Sequence, residues 1–191
     1  MLFYVNSSIF ALAKKIEIMF IVVDVEADGA YVGDYSMVSF GAVAVDKDLN
    51  NTFYGKVKPI SDKWIPEALA VSGFSRKEHE SFDDPEEVMK EFVKWLSQFK
   101  HVTFVSDNNG FDWQWINYYL HKYAGSNPFG FSSRRIGDIY CGLLNKWNAN
   151  REWKQKYRKT KHTHHAIDDA RGNAEALLAF REEFNFKFPT K

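Results

Sequence analysis

The sequence predicts one α/β domain: a mixed sheet, made of a three-stranded antiparallel meander plus parallel strands, flanked by helices. Three observations carry this. Phe20 to Val25 is an unbroken β-branched and aromatic run, as expected of a strand buried on both faces. Two more strand-like runs follow, Ser36 to Val45 and Thr52 to Lys58, joined by the polar turn Asp46-Lys47-Asp48-Leu49-Asn50. Beyond Pro59 the pattern changes to helical segments alternating with apolar runs.

Ala27-Asp28-Gly29 breaks the first strand, and Pro59 ends the third. Pro66 to Val71 reads as a short helix, with Pro at its start and Gly73 just past its end. Asp84 is a plausible N-cap for a longer helix, with Pro85 in its first position and Glu86 and Glu87 at the positive end of its dipole. Val88, Phe92, Trp95, Leu96 and Phe99 form that helix's apolar face. Capping explains this acidic cluster, so it receives no metal. His101 to Ser106 is a fourth strand, and Asp107-Asn108-Asn109-Gly110 has turn chemistry. Phe111 to Tyr123 is a helix, Ser126 to Ser133 a loop, and Ile136 to Leu144 a short strand or helix. Asn148 to Thr163 is polar and basic, which suggests a mobile loop or a loosely packed helix. Ala166 to Glu183, rich in Ala, Leu and Glu, is the last helix.

A chain of 191 residues suits one domain with a substantial core. Lys plus Arg and Asp plus Glu are balanced at 25 each, which excludes a strongly basic protein that coats duplexes regardless of sequence. The lone cysteine, Cys141, excludes an intrachain disulfide and a cysteine-based zinc site and fits a reducing cytoplasm. No apolar run is long enough to span a membrane, so no membrane partner is expected. Leu2 to Ala13 is apolar, but Lys14 and Lys15 follow it, whereas a signal peptide carries its positive charge before the apolar run. Residues 1–18 are therefore expected to be an extension, and 19–191 the domain.

Chemistry-bearing residues stand at three places. Asp24 and Glu26 interrupt the most apolar strand, and at i and i+2 both carboxylates point to one face. Burying two like charges side by side is costly unless cations compensate them. If the strand ended earlier, both would simply be solvated. Asp112 stands one residue into the helix after the fourth strand, where it also reads as a helix-dipole acid. In His164-His165-Ala166-Ile167-Asp168-Asp169-Ala170, Asp169 falls in the first turn of the last helix and His164 just before it. Histidine titrates near neutrality and can take a proton from an attacking water. The alternatives here are helix-capping aspartates, or a zinc site of His162, His164 and His165. Carboxylates converging from several elements are what phosphodiester hydrolysis by two hard cations requires, the ions standing about 3.5–4 Å apart.

Together the three segments resemble the DEDDh 3′–5′ exonuclease superfamily, which includes ribonuclease T, oligoribonuclease and the proofreading subunit of bacterial replicative polymerase. Phe20-Ile21-Val22-Val23-Asp24-Val25-Glu26-Ala27-Asp28-Gly29 is similar to the first motif, Asn108-x-x-Phe111-Asp112 to the second, and His164-x-Ala166-x-x-Asp169-Ala170 to the third. Ser39 to Val45 resembles the family's second strand, and Pro66-Glu67-Ala68 through Ser72-Gly73-Phe74 its helix and loop near the 3′ terminus. Each motif is weak alone; the three in order are specific, and the resemblance covers roughly Met19 to Phe180.

The resemblance implies a ribonuclease H-like fold and an exonuclease domain over 19–191. It implies that Asp24, Glu26, Asp112 and Asp169 hold two Mg²⁺ ions, with Mn²⁺ able to substitute. His164 would be the general base. His165 is the open second choice, because it stands where the tyrosine subclass places its tyrosine. Ala27, Asn108, Phe74 and Trp113 are the expected substrate-binding positions. Of the aromatics that could stack on bases, Phe40 and Phe111 are expected in the core. Ala27 replaces the family's usual Thr, and Asp107 its usual His, which touches substrate preference and not the metal ligands. The expected activity releases nucleoside 5′-monophosphates from single-stranded 3′ ends, RNA ahead of DNA. The alternatives are a DNA exonuclease of repair or proofreading and a non-catalytic nucleic-acid-binding module. Lys154, Lys156, Arg158, Lys159 and Lys161 could contact phosphates. The likeness to ribonuclease T and oligoribonuclease makes a homodimer an expectation.

Overall fold

A computed structural model describes residues 18–187. In chain order the elements are β1 (Ile18–Ala27), β2 (Met37–Ala44), β3 (Thr52–Lys56), α1 (Pro66–Val71), α2 (Arg76–Glu80), α3 (Pro85–Leu96), β4 (His101–Ser106), α4 (Asn109–Ala124), β5 (Ser133–Arg135), α5 (Ile136–Leu144), α6 (Glu152–Tyr157) and α7 (Ala166–Phe184). The sheet order is β3-β2-β1-β4-β5. The meander β1-β2-β3 is antiparallel, and β4 and β5 add in parallel on the other side of β1. The anticipated mixed sheet flanked by helices is therefore what the chain adopts. Apart from Ile18, which pairs with His101 as the first rung between β1 and β4, the expected N-terminal extension lies outside the described residues.

β1 is central, and its two rows of side chains feed two cores. Met19, Ile21, Val23, Val25 and Ala27 pack with Met89 and Phe92 of α3 and with Trp115, Ile116 and Tyr119 of α4. Val22 packs on the opposite face with Tyr140 of α5, Trp153 of α6 and Ala170, Ala174, Leu177 and Phe180 of α7. The α7-facing row continues from Val22 into Asp24 and Glu26, because side chains alternate along a strand. This fixes the register: a one-residue slip would drive both acids into the α3–α4 core.

Three local readings change. α2 was not anticipated, although its signal is present: Ser75 accepts from the Glu78 backbone N–H, and Glu78 reaches back to the Ser75 N–H. β5 was not anticipated and starts at the last residue of the expected loop; Ser133-Arg134-Arg135 has no apolar pattern and is a strand because it pairs with Phe104 to Ser106. Ile136 to Leu144 resolves as a helix. The basic segment is also better anchored than its composition suggests. Trp153 and Tyr157, four apart on α6, are both buried, and Tyr157 packs edge-on against Phe180 with ring centroids 5.2 Å apart.

Candidate active site

The site forms where β1 and β4 part. Their parallel ladder ends at Val22–Val105. Beyond it the chain leaves β4 and turns into α4, so the edge of β1 has no strand beside it. The backbone N–H of Val25 is satisfied by Asp112 instead, donating to Oδ1 over 3.2 Å. That bond places the Asp112 carboxylate beside the residues flanking Asp24 and Glu26. Asp112 is 2% exposed, and its Oδ2 is buried with no hydrogen-bond partner.

The third component arrives on α7. Gly41 stands opposite Asp24 in the β1–β2 ladder. A Cβ at Gly41 would lie 2.4 Å from the Ile167 Cα and 2.5 Å from the Ala166 carbonyl. Only glycine lets the start of α7 press so closely on β2, and this closeness carries Asp169 to β1. Asp24, Glu26 and Asp169 thus each offer an oxygen within 4.8 Å of the others.

A strap of residues 158–165 covers Asp169. Arg158 donates a 2.8 Å hydrogen bond to Oδ1, the His164 backbone N–H donates to Oδ2 over 3.0 Å, and His162 Nδ1 lies 2.8 Å from Oδ2. Gly172 makes room for the Arg158 guanidinium, which a Cβ would approach to 2.6 Å. The strap is held from outside by Glu175, which accepts from the backbone N–H groups of Lys159 and Thr160 and from the Thr160 hydroxyl. His164 takes a left-handed backbone conformation, φ 59°.

The electrostatics follow from this crowding. Burial, then Asp112 and Asp169, hold Asp24 well above the usual carboxylate range. Burial and Asp169 push Glu26 up to about 7. Burial raises Asp112 despite the Ser106 hydroxyl and the Val25 backbone N–H, which both act to lower it. Hard-oxygen donors packed together with one orphaned buried oxygen suit divalent cations such as Mg²⁺. Asp24, Glu26, Asp112 and Asp169 are the residues that could hold them.

Asp24, Glu26 and Asp112 open on a cleft of about 470 Å³, while Asp169 is buried behind them under the strap. Its lining includes Asp24, Glu26, Ala27, Asn108 and Asp112 among the expected residues, together with His164. His165 points elsewhere: its ring lies 4.9 Å from that of Tyr54. Two expected substrate contacts are not brought to the cleft. Trp113 packs edge-on against the buried Phe104 at 5.1 Å, and Phe74 against Phe82 at 4.9 Å. Conversely, Phe111, expected in the core, lines the cleft, whereas Phe40 is fully buried as expected. Ile65, Ala68 and Val71 form an apolar wall from the start and face of α1; the resemblance set this helix near the 3′ terminus but singled out only Phe74 from the segment as a substrate contact. Lys154 faces the cleft and pairs with Asp107. Of the other basic residues, Lys156 pairs with Glu183, away from the acids. His162 was singled out only as a zinc ligand; its signal is the His-x-His spacing on the strap.

Comparison with known proteins is consistent with this geometry. Residues 19–180 match the family described as the 3′–5′ exoribonuclease Rv2179c-like domain. The chain belongs to this family. A relative from Escherichia coli, 3′–5′ DNA exonuclease Cap18, is 39% identical over 166 residues, covering 82% of this chain and 88% of that protein. Two solved structures share the fold. Cell-death related nuclease 4 (CRN-4) superposes with a TM-score of 0.68 at 17% identity, over 86% of this chain and 64% of that one. A 3′-exonuclease solved for its 3′-end specific recognition of histone mRNA stem-loop gives 0.70 at 14% identity, over 90% of this chain and 66% of that one. The chain thus spans less than two thirds of either solved chain. This member of the Rv2179c-like family is a 3′–5′ exonuclease acting on nucleic acid.

Proposed function

We propose that the chain trims single-stranded DNA from its 3′ end by two-metal-ion phosphodiester hydrolysis, releasing nucleoside 5′-monophosphates. The observation that carries this reading is the meeting of Asp24, Glu26 and Asp169 beside the orphaned Asp112 Oδ2, where Asp24, Glu26 and Asp112 line a cleft of about 470 Å³. Two Mg²⁺ ions held by these four carboxylates, or Mn²⁺ in their place, would neutralise the scissile phosphate and the departing 3′ oxygen. The chain's own residues do the rest. Asp24 and Glu26 are fixed on the rigid central strand, and Asp112 and Asp169 are tied to it from opposite faces. His164 is exposed on the cleft wall, where its imidazole can take the proton of the attacking water. Lys154 lines the cleft, where its ammonium can pair with a substrate phosphate.

Two observations favour DNA over the RNA expected from the sequence. The wall facing the acids is built from Ala27, Ile65, Ala68, Val71 and Phe111, apolar side chains that suit a deoxyribose edge and a stacked base. The relative at 39% identity is named a DNA exonuclease. RNA stands as the second reading, because the matching family is described as exoribonuclease. The test is a time course with 5′-labelled single-stranded DNA and matching RNA, in Mg²⁺ or chelator. A 3′ ladder that needs the metal, is abolished by Asp24→Asn and is slowed about 10²–10⁴-fold by His164→Ala is the expected result. A ladder that persists in chelator or in Asp24→Asn overturns the mechanism, and faster trimming of RNA than of DNA overturns the substrate assignment.

A further inference from the structure

We propose that His162, His164 and Asp169 form a second site, for a borderline divalent cation such as Zn²⁺, which shares Asp169 with the carboxylate site and whose occupancy stops turnover. One nitrogen of each imidazole and one Asp169 oxygen lie within 4.8 Å of one another. The two rings meet edge to face with centroids 4.2 Å apart. Two imidazoles and one carboxylate are a donor set that zinc-class ions accept readily, whereas Mg²⁺ prefers oxygen throughout. Three protein ligands also leave positions for solvent, as in open zinc sites.

The ligands are oriented from behind. Arg158 and the Thr163 backbone N–H occupy Asp169 Oδ1, while Oδ2 accepts the His164 backbone N–H and faces His162. Glu175 pins the strap on which both histidines stand. Such supporting contacts preorganise a metal site. His162 is 56% exposed, so an ion reaches it directly from solvent. His165, next along the strap, is turned towards Tyr54 and takes no part. The functional consequence rests on the reading of His164 as the general base. A cation on His164 holds the lone pair that would accept the proton, and the same cation draws Asp169 away from the carboxylate site. The trimming activity is thereby set by the balance of two classes of divalent metal.

The experiment is calorimetric titration of the full-length chain with Zn²⁺ in excess Mg²⁺, for the wild type and for His162→Ala, His165→Ala and Asp24→Asn. The site predicts one zinc per chain, an affinity about tenfold weaker or worse in His162→Ala, and no change in His165→Ala or Asp24→Asn. Equal affinity in the wild type and His162→Ala overturns the proposal. Weakening in Asp24→Asn but not in His162→Ala places zinc on the carboxylates and overturns it too. In the ladder assay, zinc should slow the wild type by a larger factor than His162→Ala, each measured against its own zinc-free rate. If no Mg²⁺-dependent ladder forms, the functional reading fails while the titration still decides the zinc site.

Discussion

Gly41→Ala tests whether the close approach of α7 to the sheet sets the catalytic geometry. The added methyl would lie 2.4 Å from the Ile167 Cα and 2.5 Å from the Ala166 carbonyl. Carbon atoms pack best at about 3.5–4.0 Å, so the start of α7 must retreat by about 1 Å. The obstructing atoms are backbone, and no side chain can swing aside to admit the methyl. Overpacking of this kind costs about 1–3 kcal/mol. Ala also restricts the unfolded chain, which favours folding by about 0.4–1 kcal/mol, the smaller effect. The melting temperature should therefore fall by a few degrees, at about 2–4 °C per kcal/mol for a chain of this size. Asp169 lies in the first turn of the displaced helix, and a shift of about 1 Å in a catalytic group costs on the order of 10²-fold in rate. Thermal unfolding and the rate of terminal nucleotide release at saturating substrate read the two effects separately. Wild-type values for both would refute the packing argument. A lower melting temperature with an unchanged rate would refute the claim that Gly41 positions Asp169.

Two pH-linked predictions follow from buried groups. Glu26 is raised from its usual 4.5 to about 7 by burial and Asp169, so the stability it contributes is full below 4.5 and is lost as pH rises through about 7. At about 1.4 kcal/mol per pH unit, the loss at pH 8 is about 3 kcal/mol at most. In chelator, Glu26→Gln should melt several degrees above the wild type at pH 8 and close to it at pH 5, while losing Mg²⁺-dependent turnover; an equal offset at both pH values would refute this. His79 is fully buried, and burial lowers it from 6.5 to about 4. Its contribution is full above 6.5 and is lost as pH falls through about 4, and His79→Gln should flatten that acid limb in urea unfolding. An unchanged limb would remove His79 as its cause.

Much of the site was legible because its residues break local rules. Asp24 and Glu26 stand in a strand whose other members are apolar, Asp112 stands at a helix start that follows a strand with a buried end, and Asp169 stands in the first turn of a helix that follows a histidine-rich segment. What was not legible depends on which side of an element faces what. Phe111 and Trp113 flank Asp112 on α4, and successive helical residues are about 100° apart. Both therefore lie beside the buried acid, on opposite sides of it. Only the placement of α1 decides that Phe111 meets the cleft, while Trp113 turns to Phe104. β5 is a strand by pairing alone, and nothing in Ser133-Arg134-Arg135 announces it.

The basic segment is the sharper case, because its charge was visible and its partners were not. Arg158 read as one more cation available to phosphate; it is spent inside the protein, on Asp169, in a space kept open by Gly172. This makes the four acids unequal. Asp169 already carries a guanidinium, two backbone N–H groups and His162. Asp112 has one backbone donor on Oδ1 and an orphaned Oδ2, and Asp24 sits among three other carboxylates with Arg158 as a counter-charge. The electrostatic deficit that a divalent cation would fill therefore lies on the β1–α4 side of the site, while the strap holds the α7 side. Asp24→Asn should weaken Mg²⁺ binding more than Arg158→Gln does, because the first removes a donor from the deficient side and the second only releases a group from the satisfied one. Calorimetric Mg²⁺ affinities in the reverse order would show that the guanidinium, and not the carboxylate crowd, organises the site.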